Sequence, residues 1–155
     1  MAELAQNPDD FLKLDEQVCF PLYAASNLII RAYRPLLKPL GLTYPQYLVM
    51  LVLWEENRVS VGKLGSRLHL DTGTLTPMLK RMEANGLVTR KRSEIDERRV
   101  DIELTEQGLA LKKDAQKVPQ LLFCHVGAEA NWLGQLTGDV KKLVQLLQQS
   151  SQEND

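Results

Sequence analysis

Two cysteines, Cys19 and Cys124, are the residues in this chain that could carry thiol redox chemistry. A thiolate attacks a peroxide to give a sulfenic acid, and a second thiol converts that acid to a disulfide. A free cysteine titrates near ~8.5, whereas a helix N-terminus or hydrogen-bond donors bring its pKa to ~3.5–7.5. Pro21 fits best in a first helical turn and indicates a helix start near Cys19, although an earlier start with a kink also fits. The apolar neighbours of Cys19 suit an organic peroxide, and the alternative is that Cys19 is a small buried apolar residue.

The sequence predicts no metal site, no cofactor site and no membrane segment. The chain has no CxxC pair, and its histidines, His69 and His125, are isolated in sequence. With 44% apolar and 25% charged residues, the composition is that of an ordinary protein able to form a core. No run of 18 apolar residues is present, and the N-terminus is acidic rather than basic followed by apolar. We therefore expect a cytoplasmic protein that binds no metal or cofactor.

Positive charge is concentrated in the middle of the chain. The net charge is −1, yet residues 58–99 hold ten Lys/Arg against five Asp/Glu, about +5, which leaves about −6 elsewhere. A basic module inside an acidic body is the charge distribution expected of a nucleic-acid-binding protein. The alternative is a merely solvated face.

Helical periodicity and capping signals divide the chain into elements. Thr43 and Gln46 form a capping-box pattern, Ser60 and Thr105 are further N-cap candidates, and Gly86 is placed to end a helix. A charged stretch separates Leu87–Thr89 from an alternating strand at Val100–Leu104, which predicts a β-hairpin. The predicted helices are Val18–Leu37, a buried helix containing Tyr47–Trp54, Val61–Leu68, about Thr72 or Thr74 to Asn85, Glu106 to about Lys117, and about Ala130 to Gln149.

A short helix, a turn and a second helix with a polar outer face form a helix-turn-helix, and the basic hairpin makes it winged. Pro77 favours Thr74 over Asp71 as the N-cap of the second helix. The predicted architecture is mainly α with a small β-hairpin. A winged helix-turn-helix would occupy about 58–104 of a single domain at 1–155, with a helical dimerisation region at about 14–57 and 105–150.

The second helix would enter the major groove of DNA, and the wing would reach a neighbouring groove or the phosphates. Small and hydroxyl residues can approach base edges and thymine methyls, whereas lysine and arginine more often hold phosphates. Lys91 and Arg99 would add positive charge to the wing. The predicted DNA-binding residues are Thr72, Gly73, Thr74, Thr76, Pro77, Lys80 and Arg81 on the helix, and Arg90, Arg92 and Arg98 in the wing.

Several motifs together resemble a known family. The stretch Leu70–Glu83 (LDTGTLTPMLKRME) resembles the recognition-helix signature of the MarR regulators, Gly86–Arg90 continues it, and Asp96–Arg99 (DERR) is similar to their wing motif. Val18–Phe20 (VCF), Tyr33 and Leu42–Tyr47 (LTYPQY) resemble the organic-hydroperoxide-sensing repressors (OhrR) of that family. The resemblance covers nearly the whole chain from about Leu14.

The resemblance implies a MarR-like dimer, mostly helical and triangular, held together by N- and C-terminal helices. It implies that Cys19 is the peroxide-reactive cysteine and that Tyr33 and Tyr44 hydrogen-bond its thiolate, from the partner subunit. Cys124 would match the resolving cysteine of the two-cysteine subgroup and close an intersubunit disulfide with Cys19, which would release operator DNA. Pro21 departs from the family pattern and bears on the surroundings of Cys19.

The resemblance also implies that Asp71 and Arg98 pair and brace the wing. We therefore expect a repressor rather than an enzyme, whose partners are double-stranded DNA with a palindromic operator, an organic hydroperoxide as inducer and a second copy of the chain. Three alternatives remain: a MarR-type repressor that responds to a small phenolic ligand without redox chemistry, a thiol peroxidase, and a helical adaptor that binds only protein. The sequence around Cys19 lacks an arginine- or threonine-bearing motif that would activate a peroxide, which disfavours the peroxidase.

Overall fold

We describe the protein from a computed structural model, which covers residues 8–93, 99–127 and 129–152. The described residues divide into two compact units, one up to Val118 and the other from Pro119. Three short 3-10 turns lie at Pro8–Leu12, Leu14–Glu16 and Lys38–Leu40. The helices are α1 (Cys19–Leu37), α2 (Tyr44–Glu56), α3 (Val61–Leu68), α4 (Thr72–Ala84), α5 (Glu106–Ala115), α6 (Val118–Val126) and α7 (Ala130–Gln152), and the strands are β1 (Arg58–Ser60), β2 (Val88–Arg92) and β3 (Val100–Leu104).

The first two helices begin where the sequence predicts. Helix α1 starts at Cys19, so Pro21 lies in its first turn, where a missing N–H removes no helical hydrogen bond. Gly41, in the left-handed conformation at φ 66°, reverses the chain before α2. The capping box of α2 forms as predicted, with the Thr43 N–H donating to Gln46 Oε1 at 2.9 Å.

Helix α2 is the centre of the first unit. Its residues Val49, Met50 and Leu53 are fully buried in a core shared with α1, α3, α4 and the sheet. Trp54 Nε1 donates to the carbonyl of Gly108 in α5 at 3.0 Å. Because a Cβ at Gly108 would lie 2.1 Å from the Leu87 carbonyl oxygen, only glycine lets α5 approach this closely.

The predicted helix-turn-helix is present as α3 and α4. Ser60 Oγ accepts the Lys63 N–H, as expected of an N-cap. The prediction that Thr74 caps α4 is wrong, because the helix starts at Thr72 and Asp71 Oδ1 accepts the Thr74 N–H at 2.8 Å. Pro77 removes one N–H inside the helix, and α4 forms despite this loss because its cap at Asp71 is made and Leu75, Leu79 and Met82 are fully buried.

The predicted hairpin is confirmed, and it is part of a three-stranded antiparallel sheet in the order β1-β3-β2. Strand β1 was missed by the sequence analysis, because three residues are too few to show an alternating pattern. The fully buried Ile102 pairs with Val59 on one side and with Arg90 on the other. Residues 94–98, which include the predicted wing residue Arg98, lie outside the described residues.

The second unit consists of most of α6 and of α7. Helix α6 was also missed, because Pro119 suggested only a break, whereas it occupies the second position of a new helix. The preceding helix α5 ends at Ala115 rather than near Lys117, and α7 extends to Gln152. None of the α7 side chains that the structure describes is buried.

Within the described ranges, no single helix is both long and apolar enough to cross a membrane. The segments Cys19–Leu40 and Tyr44–Glu56 reach that length and apolarity only when taken together, across a bend of 66°. The second of them is the buried core helix α2.

Candidate nucleic-acid interface and thiol sites

Helix α4 presents one polar face to solvent and buries the opposite face. Leu75, Leu79 and Met82 are fully buried, which fixes the rotation of the helix about its axis. The predicted DNA-binding residues of the helix lie on the other side: Thr72, Gly73, Thr74, Pro77, Lys80 and Arg81 are exposed and Thr76 is half-buried. The helix therefore offers a continuous outer surface of small, hydroxyl and cationic side chains.

Asp71 anchors the N-terminus of this helix. Its carboxylate accepts the Thr74 N–H at 2.8 Å and the Thr74 hydroxyl at 2.7 Å. The side-chain hydrogen bond from Thr74, followed by the backbone one, lowers the pKa of Asp71, so the carboxylate is charged at neutral pH. Because the Thr74 hydroxyl proton is used internally, this side chain offers a base only its oxygen lone pairs and its methyl group. The predicted pair of Asp71 with Arg98 lies outside the described residues.

The wing residue Arg90 packs against α4 rather than projecting freely. Its backbone N–H donates to Glu83 Oε1 at 2.9 Å, and its guanidinium lies 3.8 Å from Glu83 Oε2. The side chain is only 24% exposed, and its Nε is buried without a hydrogen-bond partner among the described groups. Arg92, at the end of β2, is exposed. Glu83 thus joins the recognition helix to the wing.

A recess of about 480 Å³ opens between α3, α4 and the sheet. The predicted residues Thr72, Thr76 and Arg90 line it together with Arg99. Ser60 and Lys63 also line the recess, and the sequence analysis did not assign them to the interface. The sequence signal that could have identified them was the predicted N-cap at Ser60, because it marks the start of α3. In the structure this start lies beside the start of α4, across the recess.

Several cations of the basic segment are neutralised by acids. Arg67 bridges Glu55 and Glu56 at 2.8 and 2.9 Å, and Lys63 also pairs with Glu56. On the sheet, the acidic partners are residues of β3: Arg58 lies 2.9 Å from Asp101 and 3.2 Å from Glu103, and Lys91 lies 2.7 Å from Glu103. Lys80, Arg81, Arg92 and Arg99 have no acidic partner within the described ranges. Within the described part of residues 58–99, the unpaired positive charge therefore lies on α4 and the wing.

Three tyrosines cluster where α1 meets the start of α2. The ring centroid of Tyr33 lies 4.7 Å from that of Tyr44 and 5.8 Å from that of Tyr47. Burial, with a smaller contribution from the neighbouring phenols, raises the pKa of Tyr33 to about 12, and burial also raises the pKa of Tyr44. Both phenols are protonated at neutral pH and can donate a hydrogen bond.

Both cysteine thiols are free and exposed in the chain. Cys19 is the first residue of α1, as predicted, and Cys124 lies in α6, in the second unit. Tyr33 follows Cys19 by fourteen residues on the same helix, a rise of about 21 Å along its axis. The fold therefore brings Tyr33 and Tyr44 together but keeps Tyr33 away from Cys19 of the same chain.

A capped helix-turn-helix, a basic outward face and an antiparallel wing define a winged-helix regulator. The family model "Transcriptional regulator SarA/Rot" matches residues 31–115. The organic hydroperoxide resistance transcriptional regulator of Bacillus subtilis is 48% identical over 94% of this chain and 99% of its own length. The chain belongs to this family of transcriptional regulators, of the MarR type, so the resemblance inferred from the sequence is confirmed.

Two solved structures support the same fold. Reduced AbfR bound to DNA, a protein of Staphylococcus epidermidis, matches with a TM-score of 0.75 and 33% identity over 91% of this chain and 99% of that one. AbfR has also been solved with a disulfide formed. AbsC, a MarR family transcriptional regulator from Streptomyces coelicolor, matches with a TM-score of 0.75 and 26% identity over 86% of this chain and 95% of that one.

Proposed function

We propose that this protein is a homodimeric, DNA-binding repressor of the cytoplasm that senses organic hydroperoxides through Cys19. The observation that carries the proposal is the free, exposed thiol of Cys19 at the start of α1. The tyrosines that the resemblance assigns to this thiol lie far from it, because Tyr33 is about 21 Å further along the same helix. Since the two tyrosines cannot reach the thiol of their own chain, a complete thiol site needs a second copy. The high identity to a hydroperoxide resistance regulator supports the same conclusion.

The exposed apolar faces of the helices are consistent with such a dimer. Leu28 and Ile29 of α1 and Trp132, Leu136 and Leu147 of α7 are all at least 40% exposed. Leu136 and Leu147 are eleven residues apart, so they share one side of α7. A second copy that covered these faces would remove apolar surface from water. Residues 14–57 and 105–150 are thus our proposed dimerisation region.

DNA binding is assigned to α4 and the wing of each subunit. In a two-fold dimer the two α4 helices would enter successive major grooves about 34 Å apart, which fits a palindromic operator. Lys80, Arg81, Arg92 and Arg99 would hold phosphates. The small residues at the start of α4 would face the bases.

The redox step balances without a cofactor. The Cys19 thiolate attacks the terminal oxygen of the hydroperoxide, so that an S–O bond forms as the O–O bond breaks. The departing alkoxide takes up a proton from water and leaves as the alcohol. The resulting sulfenic acid is condensed by Cys124 of the partner subunit to a disulfide, with loss of water. Tyr33 and Tyr44, protonated at neutral pH, would donate hydrogen bonds to the thiolate before attack. Strain transmitted through α1 and α6 would then turn the two α4 helices out of register.

The test uses an operator selected from random duplexes with the reduced dimer. One equivalent of cumene hydroperoxide should abolish binding and produce a crosslinked dimer on non-reducing electrophoresis, and the C124S variant should show neither effect. Release of DNA from the C19S variant by the oxidant would overturn the thiol mechanism. If the wild-type protein ignored the oxidant, the alternative of a phenolic ligand would be favoured instead. Multiple-turnover consumption of peroxide would favour a thiol peroxidase.

A further inference from the structure

Thr74 is exposed on the outer face of α4, yet its hydroxyl is already engaged within the protein. The hydroxyl donates to Asp71 Oδ2 at 2.7 Å, while the Thr74 N–H donates to Asp71 Oδ1 at 2.8 Å. These hydrogen bonds lower the pKa of Asp71, so its carboxylate is charged at neutral pH and can only accept. The direction of the bond between the two side chains is therefore fixed, with Thr74 as the donor.

The bond to Asp71 restricts what Thr74 can offer to a base. A free threonine hydroxyl has one donor proton and two acceptor lone pairs, so it can bond either to an amino or to a carbonyl group. Thr72, on the same outer face, is in this state, because its hydroxyl makes no hydrogen bond within the described residues. Thr74 keeps only lone pairs and a methyl group, so it can accept from an amino group but meets another acceptor without a proton between them.

The major-groove edges of the base pairs differ in the groups that suit such a side chain. An A·T pair presents the adenine amino group, which donates, and the thymine methyl group, which packs against another methyl. A G·C pair presents two guanine acceptors, O6 and N7, beside the cytosine amino group, and it has no methyl. A hydroxyl that cannot donate is therefore complementary to A·T and mismatched with guanine.

We propose that Asp71 is a positioning residue for base recognition, which holds the hydroxyl proton of Thr74 and thereby makes Thr74 select an A·T pair and reject guanine. The inference rests on the proposed DNA-binding function and adds to it a chemical rule for one base pair of each half-site. The carboxylate that caps α4 is thus also the group that restricts the base.

The test replaces Asp71 by asparagine, which is an N-cap of similar shape and strength. In D71N the amide oxygen still accepts the Thr74 N–H, so the amide nitrogen faces the Thr74 hydroxyl and donates to it. The variant therefore reverses one hydrogen bond and keeps the cap. The hydroxyl proton of Thr74 is then free to reach guanine O6 or N7.

Binding of the reduced full-length dimer is measured by fluorescence anisotropy on the operator selected from random duplexes, with each base pair exchanged in both half-sites. The T74V variant keeps a methyl group but lacks the hydroxyl, so it identifies the base pair that Thr74 reads. At that pair we expect the wild-type protein to prefer A·T over G·C by at least about fivefold per half-site. D71N should reduce this preference by at least about threefold, mainly through stronger binding to G·C.

Two controls separate this hydrogen bond from other effects of D71N. In the T74V background, D71N should leave the base preference unchanged, because no hydroxyl proton remains to be released. An effect transmitted through Arg98 of the wing would persist in that background. The base pair whose preference T72V alters should not respond to D71N.

The inference is overturned if the wild-type protein prefers G·C at the pair that Thr74 reads, if T74V weakens binding to all sequences equally, or if D71N leaves the preference unchanged. It is also overturned if D71N acts equally with and without the Thr74 hydroxyl. A wild-type protein that selects no sequence from the random duplexes would overturn the proposed function, and this inference with it. An unchanged circular dichroism melting curve confirms that the variants are folded.

Discussion

The Tyr33 hydroxyl shows how a single residue ties the fold to the proposed chemistry. Its ring packs on Tyr44 and Tyr47, and the loss of water around it disfavours the phenolate. A phenol that stays protonated can donate to a thiolate without adding charge, whereas a phenolate would repel it. Tyr33 can therefore donate this hydrogen bond only below the pH at which its hydroxyl ionises.

We expect Tyr33 to titrate late, because its pKa is raised to about 12. Because the folded pKa lies above the ordinary value of about 10, the stability it contributes is present below pH 10 and is lost as the pH rises through 12. Tyrosinate absorbance measured against pH should show a late step that Y33F removes, and Y33F should be less sensitive to unfolding above pH 10. A late step that survives in Y33F would contradict the assignment.

Gly108 is a second single residue on which the fold depends, because it allows α5 to pack against the backbone of Leu87, just before β2. A Cβ there would meet the Leu87 carbonyl oxygen, which is backbone and cannot rotate away. We expect G108A to destabilise the protein by about 2–3 kcal/mol, in the range of overpacked cores, with loss of the Trp54 hydrogen bond. Urea unfolding followed by circular dichroism measures the change. Wild-type stability in G108A would show that α5 is not closely packed there.

At the scale of elements, the connection between α1 and α2 depends on the left-handed conformation of Gly41. An added Cβ would touch nothing within 4 Å, so a substitution reports the backbone alone. We expect G41A to cost about 1 kcal/mol of unfolding free energy. The matched control is G62A in α3, which also meets nothing and should stabilise by up to about 0.5–1 kcal/mol because alanine favours helix. Equal thermal shifts in the two variants would contradict this account.

At the same scale, Glu83 joins α4 to the wing. Its carboxylate contacts the backbone and the guanidinium of Arg90, so it fixes the position of β2 relative to α4. Glu83 accepts from the Arg90 backbone, so the E83Q variant keeps a hydrogen-bond acceptor while removing the charge. Arg90 is only 24% exposed and its guanidinium lies 3.8 Å from Glu83, so it presents less free charge than the exposed Arg92. The free cations of α4 are Lys80 and Arg81.

At the scale of the whole molecule, the acidic body and the basic module predict binding to DNA that depends strongly on salt. Each phosphate contact contributes about −0.9 to the slope of log K against log salt. In a dimer, K80Q should reduce the magnitude of that slope by about 2, since each subunit loses one contact. Fluorescence anisotropy on the selected operator at several salt concentrations measures it.

The control for this prediction is K141Q, which removes an exposed cation of α7, outside the winged-helix module. Its slope should equal that of the wild-type protein. A slope that is unchanged in K80Q, or equally reduced in K141Q, would place the DNA contacts elsewhere on the molecule.

Local signals in the sequence were sufficient for most elements and caps. Thr43, Ser60 and Thr105 cap as predicted, because a capping hydrogen bond joins residues only three apart. The same reasoning failed at Asp71, because the burial of Leu75, Leu79 and Met82 adds to the cap and holds α4 together despite Pro77. Strand β1 and helix α6 were missed, because the first is too short to show a period and the second has a proline at its second position.

The sequence by itself determined the succession of helices except for α6, the wing and the outward face of α4, since all of these depend on periodicity within a few residues. Only the tertiary structure decided which cations remain unpaired and which side chains share a cavity. The pair of Arg58 with Asp101 and the bond from Trp54 to Gly108 join residues 43 and 54 positions apart. Such partners are chosen by how buried faces pack against one another, and no local pattern in the chain records that choice.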